Sequence, residues 1–321
     1  MSISTAYYIT GLPGIGKTTR ANKIKASTPP TGNGRAHIST DFIREIFPNI
    51  KRKQTVAILR QLYDRAVHNG LDIIVEEPYQ SIHYTEDIWF KYLMDRGYSV
   101  IHEDMNWTEV NPLAVSRRRR ANTIPIPILD EQYIRYLANP KNDDSINQLR
   151  IANLFPKDRP IYFVDFDGTL FDTREKFRYT LPTSTSTSKS DQKLVIDWKY
   201  VFSAEGIKTD KLRKEVLELV PDHAVCIALS WRPATKEVWD ATYEMLKDAN
   251  AAHFFDLFLF RSPKDNRDDA VVKEELFKIV KALAHPNTEF HALDDRKKVL
   301  DMWERNGVHT TNCSLLEDND F

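Results

Sequence analysis

The chain has 321 residues, 41% hydrophobic and 28% charged, with a formal net charge of -1. At about 100–200 residues per domain, that length predicts two soluble domains with real cores, and the near-neutral balance excludes a protein that grips nucleic acid through its whole surface. Two cysteines, Cys226 and Cys313, make no CxxC pair and exclude a disulfide framework, and nine histidines without ligand spacing predict no zinc site.

Ala6–Thr10 predicts a short buried strand that runs into a glycine-rich loop. Arg20–Lys25 continues behind that loop as a helix. Ala36–Ile38 is a second strand, and Asp41–Ile46 and Val56–His68 have helical periodicity. Ile73–Val75 and Ser99–Ile101 are the third and fourth strands. Asp130–Leu137 and Ser145–Leu154 close the half as helices. Strands alternating with helices predict a parallel sheet of βαβ units.

The pattern breaks at Pro156-Lys157-Asp158-Arg159-Pro160, a linker that divides residues 1–155 from 156–321. Strands follow at Ile161–Val164, Ala224–Leu229, Leu257–Phe260 and Phe290–Leu293. Helices are predicted at Lys211–Leu219, Thr235–Asn250, Val271–Ala284 and Lys297–Asn306, so this half is also α/β. The tract 183–190 (TSTSTSKS) reads as a surface loop. Met1–Thr5 has no basic leader region, and no apolar run approaches the about 18 residues that span a bilayer. A reducing, cytoplasmic location is expected.

Gly11-Leu12-Pro13-Gly14-Ile15-Gly16-Lys17-Thr18 matches G-x-x-x-x-G-K-[ST] between a strand and a helix. Gly11, Gly14 and Gly16 let backbone N–H groups turn inward around phosphate. Lys17 reaches the β/γ-phosphates of ATP, the Thr18 hydroxyl is the Mg2+ ligand, and Thr19 completes the nucleotide-binding set. An acceptor hydroxyl needs a base and the moving phosphoryl group needs cations. Asp41 and Arg44, three residues apart on one helical face, are the candidates beside the loop. Arg117–Arg120 is the densest basic run, and it precedes the proline-rich segment Ala121–Pro127, which suggests an arginine-bearing lid. Glu76 and Glu77 end the third strand as further candidates for metal or substrate contact.

Asp165-Phe166-Asp167-Gly168-Thr169-Leu170 follows the strand Ile161–Val164. Two carboxylates two residues apart in extended backbone face one side, where they can share Mg2+ while one attacks phosphorus. This resembles the first motif of the haloacid dehalogenase (HAD) superfamily. The resemblance implies that Asp165 is the nucleophile and that Asp167 first protonates the leaving group and then activates water. It also implies that Ser230 binds phosphate, Lys273 neutralises the aspartyl-phosphate, and Asp294-Asp295 complete the metal site. One departure is Trp231, which stands where the family often has glycine. It narrows the loop or offers an aromatic surface for a base.

A P-loop domain followed by such a phosphatase, over nearly the whole chain, resembles the T-even-phage type of polynucleotide 5′-kinase/3′-phosphatase. The expected fold is therefore two α/β domains, a P-loop NTPase-type parallel sheet and a HAD-like Rossmannoid sheet with a small cap insertion. The resemblance places the lid arginine at Arg119, or one residue later at Arg120, and an acidic substrate contact at Glu77. It gives Arg232 a contact with substrate phosphate and Asp269 a supporting role. It also calls for a further arginine before Ser230, either Arg174 or Arg178. Asp294-Asp295-Arg296, Met302-Trp303 and the ending Asp320-Phe321 are similar as well. The implied cofactors are ATP and Mg2+, and the implied partners are RNA or DNA ends with 5′-hydroxyl and 3′-phosphate groups, a downstream ligase and copies of itself in a tetramer. Two rival readings are a small-molecule kinase fused to a nucleotidase-like phosphatase, and a non-catalytic nucleotide-responsive module. The intact Lys17, Asp165, Asp167, Lys273 and Asp295 argue against the second.

Overall fold

The computed structural model describes residues 3–27, 29, 32, 34–76, 87–105, 111–120, 123–142, 145–177 and 196–314. Glu77, Arg178, the tract 183–190 and the C-terminal Asp320-Phe321 lie outside the described residues. The chain separates into two compact units, residues 1–122 with 135–150 and residues 123–134 with 151–321.

In the first unit, β1 (Thr5–Thr10), α1 (Lys17–Ala26), β2 (Arg35–Ser39), α2 (Thr40–Ile46), α3 (Arg52–His68), β3 (Asp72–Glu76), α4 (Ile88–Asp95), β4 (Ser99–Asp104) and α5 (Pro112–Arg120) follow in order. The strands form a parallel sheet in the order β2-β3-β1-β4. Buried Tyr8, Ile38, Tyr63, Ile73, Val75 and Leu93 fill one side of it, and Ile9, Ala21, Ile24 and Ile74 seat α1. Each large side chain buried here contributes about 1.5–3 kcal/mol. The arrangement places the loop after β1 between two neighbouring strands, at the carboxyl end of the sheet, where open α/β sheets bind ligands.

Helix α6 (Ile126–Leu137) begins with a proline in its first turn, where a missing N–H costs nothing. After it come α7 (Ser145–Leu154), β5 (Ile161–Val164), β6 (Phe171–Asp172), α8 (Arg174–Phe177), α9 (Trp198–Val201), α10 (Ala204–Ile207), β7 (Lys211–Leu212), α11 (Lys214–Leu217), β8 (Val225–Pro233), α12 (Lys236–Asp248), β9 (Leu257–Arg261), α13 (Asp269–Leu283), β10 (Phe290–Asp294), α14 (Lys297–Arg305) and β11 (His309–Asn312). The second sheet is parallel in the order β11-β10-β5-β8-β9. Strand order switches direction at β5, so the ends of β5, β8 and β10 share one crevice.

Helices α4, α5, α8, α9 and α10 and strand β6 add to the expected elements, and two further elements differ in type or lack a sequence signal. The helix predicted over Lys211–Leu219 is instead a short strand and a single helical turn. Lys211 and Leu212 pair antiparallel with Asp172 and Phe171, and Arg213 N donates to Leu170 O at 2.8 Å. That pairing outweighs helix propensity, which is a weak preference. Strand β11, with sequence HTTN, carried no hydrophobic alternation to announce it. It is an edge strand, and edges tolerate polar residues on both faces.

Candidate active sites

The P-loop of the first unit is built from backbone that only glycine adopts easily. Gly11, Gly14 and Gly16 have φ of 139°, 79° and 114°. A Cβ on Gly14 would sit 2.7 Å from Arg120 Cγ and 3.2 Å from Arg119 Cβ. Helix α5 thus rides directly over the loop. Ser116 Oγ donates to Pro13 O at 2.6 Å and Arg119 Nη1 to Gly14 O at 3.0 Å. Both arginines proposed for the lid position therefore lie against the loop.

Lys17 is buried and curls back into the loop, with its Nζ donating to Gly11 O at 2.8 Å and Leu12 O at 3.1 Å. Burial lowers its pKa to about 8, against the opposing fields of Glu76 and Asp41. Thr18 Oγ1 donates to Glu76 Oε1 at 2.5 Å, and His37 Nε2 lies 3.2 Å from Glu76 Oε2. Burial pushes the Glu76 carboxyl up, but the His37 and Thr18 hydrogen bonds outweigh it and leave the group below its ordinary value. A hydroxyl beside a carboxylate is an oxygen donor pair suited to Mg2+. Among the described residues, Glu76, at the end of β3, is thus an acidic residue that reaches the P-loop. Asp41 sits in the first turn of α2, with Ser39 as the N-cap. Its exposed carboxylate lies 3.9 Å from Arg44 Nη1. Thr19 is exposed on α1.

In the second unit, Asp165 follows β5 and is nearly sealed from solvent. Lys273, projecting from α13, lies 2.8 Å from Asp165 Oδ1, 2.8 Å from Asp294 Oδ2 and 3.4 Å from Asp269 Oδ2. Asp165, Asp294 and Asp295 bring carboxylate oxygens within 4.8 Å of one another. Burial pushes Asp165 well above the ordinary carboxylate range, and burial together with the Asp294 charge raises Asp295 to about 7. Three crowded carboxylates, together with a buried Asp269 Oδ1 that has no hydrogen-bond partner, fit a divalent cation. Gly168 is required by this crowding, because a Cβ there would lie 2.1 Å from Asp295 Oδ2.

Asp167 does not turn into that cluster. Its carboxylate takes Arg232 Nε and Nη2 at 2.9 and 2.8 Å and Lys176 Nζ at 2.7 Å. Burial alone would raise it, but the two cations pull it well below the ordinary range. Arg232 Nη2 and Lys176 Nζ also reach Asp210 Oδ2, at 2.7 and 3.0 Å, and Arg232 Nη1 donates to Thr242 Oγ1 at 2.8 Å. The expected metal set of Asp165, Asp167, Asp294 and Asp295 therefore divides into a three-carboxylate cluster and a separate Asp167 clamp. Ser230 is buried in β8, and its Oγ accepts from Arg232 N at 3.2 Å.

Three residues escaped the sequence reading: Lys176, Asp210 and Thr242. Of the two arginines suggested before Ser230, Arg178 lies outside the described residues and Arg174 pairs with Asp172 through Nη2 at 2.7 Å, while Lys176 is fully buried beside Asp167.

Comparisons with known proteins find two separate families along the chain. Residues 4–102 match the Zeta toxin family, and residues 159–321 match the family described as the polynucleotide kinase PNKP phosphatase domain. Among solved structures, a chain of the Pnkp1/Rnl/Hen1 RNA repair complex is 16% identical, with 99% of this chain and 98% of that one covered and a TM-score of 0.34. A second structure of the Pnkp1/Rnl/Hen1 complex is 15% identical, with 100% and 99% covered and a TM-score of 0.35. No described helix is long and apolar enough to cross a membrane. Because the phosphatase match spans just over half of its 321 residues, the chain belongs to the PNKP phosphatase family, as a polynucleotide kinase/phosphatase with a P-loop domain ahead of the phosphatase.

Proposed function

We propose that the two units heal RNA or DNA ends at independent sites, with the division of labour near residue 155. The N-terminal site moves the γ-phosphate of ATP to a 5′-hydroxyl, and the C-terminal site removes a 3′-phosphate or 2′,3′-cyclic phosphate. The observation that carries this reading is the convergence of Asp165, Lys273, Asp294 and Asp295 within the segment that matches the polynucleotide phosphatase.

At the kinase site the P-loop amides and Lys17 cradle the phosphates of ATP. Thr18 and Glu76 would hold its Mg2+. Asp41 accepts the proton of the 5′-hydroxyl, with Arg44 beside it, and Arg119 and Arg120 close from α5 on the transferring charge. Glu77 is proposed for acceptor contact, by resemblance alone.

At the phosphatase site Asp165 Oδ attacks phosphorus, the bond to the 3′-oxygen breaks, and an aspartyl-phosphate forms. Lys273 opposes the burial that favours protonated Asp165, and Mg2+ would tip it further toward the attacking carboxylate when bound. Ser230 and Arg232 bind the phosphate oxygens. Arg232 and Lys176 hold Asp167 ionised in the resting site. An incoming phosphate that takes these cations frees Asp167. Burial then raises its proton affinity, so that it takes a proton from solvent and gives it to the leaving 3′-oxygen; it later takes a proton from water, whose oxygen bonds phosphorus as the bond to Asp165 breaks and phosphate leaves. Asp165, Asp294 and Asp295 would hold Mg2+, which neutralises the phosphate and the crowded carboxylates when bound. Asp269, sharing Lys273 and lying 3.3 Å from Arg296 Nη1, sets the lysine's position.

The test combines γ-labelled ATP, Mg2+ and a short oligonucleotide with a 5′-hydroxyl and a 3′-phosphate, with a free nucleoside as competitor. Label on the oligonucleotide together with loss of its 3′-phosphate supports end healing, whereas label on the nucleoside alone overturns it in favour of small-molecule acceptors. A downstream ligase and self-assembly into a tetramer are further parts of the proposal, which sealing assays and sedimentation test.

A further inference from the structure

The residue directly after Ser230 is a tryptophan, and it heads an aromatic group that the phosphatase chemistry does not use. Trp231 meets Trp198 edge-to-face at 5.5 Å and Phe202 edge-to-face at 5.9 Å, while Trp198 and Phe202 stack at 5.8 Å. The Arg261 guanidinium lies 4.5 Å from the Trp231 ring centre and 5.7 Å from that of Phe202.

The group is fixed from behind. Arg261 is buried, and it donates Nε to Trp231 O at 2.7 Å and Nη1 to Asp265 O at 2.9 Å. Trp231 Nε1 donates to Arg267 O at 3.1 Å, two residues ahead of Asp269. Trp231 is thereby tied on one side to the strand that carries Ser230 and Arg232, and on the other to the entry of the helix that carries Lys273. Its single polar handle is occupied by protein, so only its π surface remains for a ligand. Trp198 stays 47% exposed, and Trp231 and Phe202 are half-buried. A group serving only to pack α9 against β8 would close over its own rings.

We propose that Trp198, Phe202 and Trp231, backed by Arg261, form a stacking platform for the nucleobase at the 3′-phosphate end. The occupant follows from position. Trp231 directly follows the proposed phosphate-binding Ser230 in β8, and what lies one sugar away from a 3′-phosphate is a base. Stacking accepts every base because every base has a π face, and a base held by protein has left its duplex partner. The phosphatase site therefore selects unpaired 3′ ends of any sequence. This inference rests on the proposed 3′-phosphatase reading.

The experiment measures phosphate release by the full-length protein from a single-stranded 3′-phosphate oligonucleotide and from the same strand with an abasic 3′-terminal nucleotide. Wild type is expected to favour the base-bearing strand by roughly 5- to 150-fold in kcat/KM, chiefly through KM. Trp231→Ala and Trp198→Ala should each pull that ratio toward one, and Trp231→Phe should restore most of it. Trp198 is exposed, so its variant answers even if Trp231→Ala fails to fold. A wild-type ratio near one, or a ratio preserved in Trp198→Ala and in folded Trp231→Ala, overturns the platform alone. Release from neither strand by wild type overturns the phosphatase reading and the platform with it.

Discussion

Lys176 Nζ lies 2.7 Å from Asp167 Oδ1 with no exposure of the lysine side chain, so a fully buried ammonium holds the carboxylate proposed as the phosphatase acid. Arg232 holds the same carboxylate, and both cations share Asp210. Removing one of them leaves the other still paired. Lys176→Met should therefore lower stability by about 1–3 kcal/mol, less than the about 3–5 kcal/mol for leaving a buried charge with no partner. Phosphatase kcat/KM should fall by about 10- to 100-fold, because the incoming phosphate loses a cation. Kinase activity should be unchanged. Equal phosphatase rates for wild type and a folded variant would remove Lys176 from the site.

What could be read from sequence was whatever is local. The P-loop and the Asp165-Phe166-Asp167 run each place their chemistry within a few residues on one strand end, so spacing alone sets the geometry. Ser230, Lys273 and Asp294 came from the resemblance to the HAD superfamily, whose motifs follow predicted strands or open a predicted helix in order along the chain. Lys176 and Asp210 were missed, because their contacts with Asp167 and Arg232 join residues that lie apart in sequence, and no motif spacing links them. Glu76 and Glu77 are neighbours in sequence, and only the pleat of β3 decides that Glu76 meets Thr18. The Lys211–Leu219 segment misled because a two-residue strand pair leaves almost no pattern in composition.

Gly14→Ala tests the seat of α5 on the P-loop. The backbone there has φ of 79°, and the new methyl would meet Arg120 Cγ at 2.7 Å. The left-handed conformation costs about 1 kcal/mol for alanine, and the arginine chain gives way for little more. The loss of stability should stay near 1–2 kcal/mol. Kinase kcat/KM should drop at least about tenfold as Arg119 and Arg120 are displaced, since small misplacements at a phosphoryl-transfer site are expensive. Dephosphorylation by the same preparation should not change, and a parallel loss of both activities would contradict independent sites.

Asp295→Asn should separate stability from metal response. Burial and the Asp294 charge raise the Asp295 pKa to about 7, so its ionised form is disfavoured in the folded protein. An amide removes that repulsion, and the metal-free variant should melt higher than wild type by about 1 kcal/mol equivalent. Added Mg2+ should raise the wild-type melting temperature and leave the variant nearly unmoved, because one of three clustered carboxylates is gone. A variant that is less stable without metal, or that still responds fully to Mg2+, would show that the cluster is not the cation site.

Lys17 supplies the pH test. Its folded pKa of about 8 stands below the ordinary 10.5, with burial as the chief cause. A lysine whose folded pKa is depressed binds fewer protons folded than unfolded between those two values. Wild-type stability should therefore rise with pH from about 8 to 10.5 on this account, by up to about 1.4 kcal/mol per pH unit. Below pH 8 the buried charge is a standing cost of about 3 kcal/mol, which phosphate binding would offset. Lys17→Met removes that cost but strands the Gly11 and Leu12 carbonyls, each worth about 0.5–1.5 kcal/mol. The variant should lose kinase activity and still match or exceed wild-type stability at pH 7, and its advantage should shrink steadily as pH climbs past 8. Chemical denaturation of both proteins at pH 7, 8.5 and 9.5 measures this difference, in which most other titrations cancel. A stability gap that does not change with pH would mean that Lys17 titrates normally and that the P-loop does not hold it under strain.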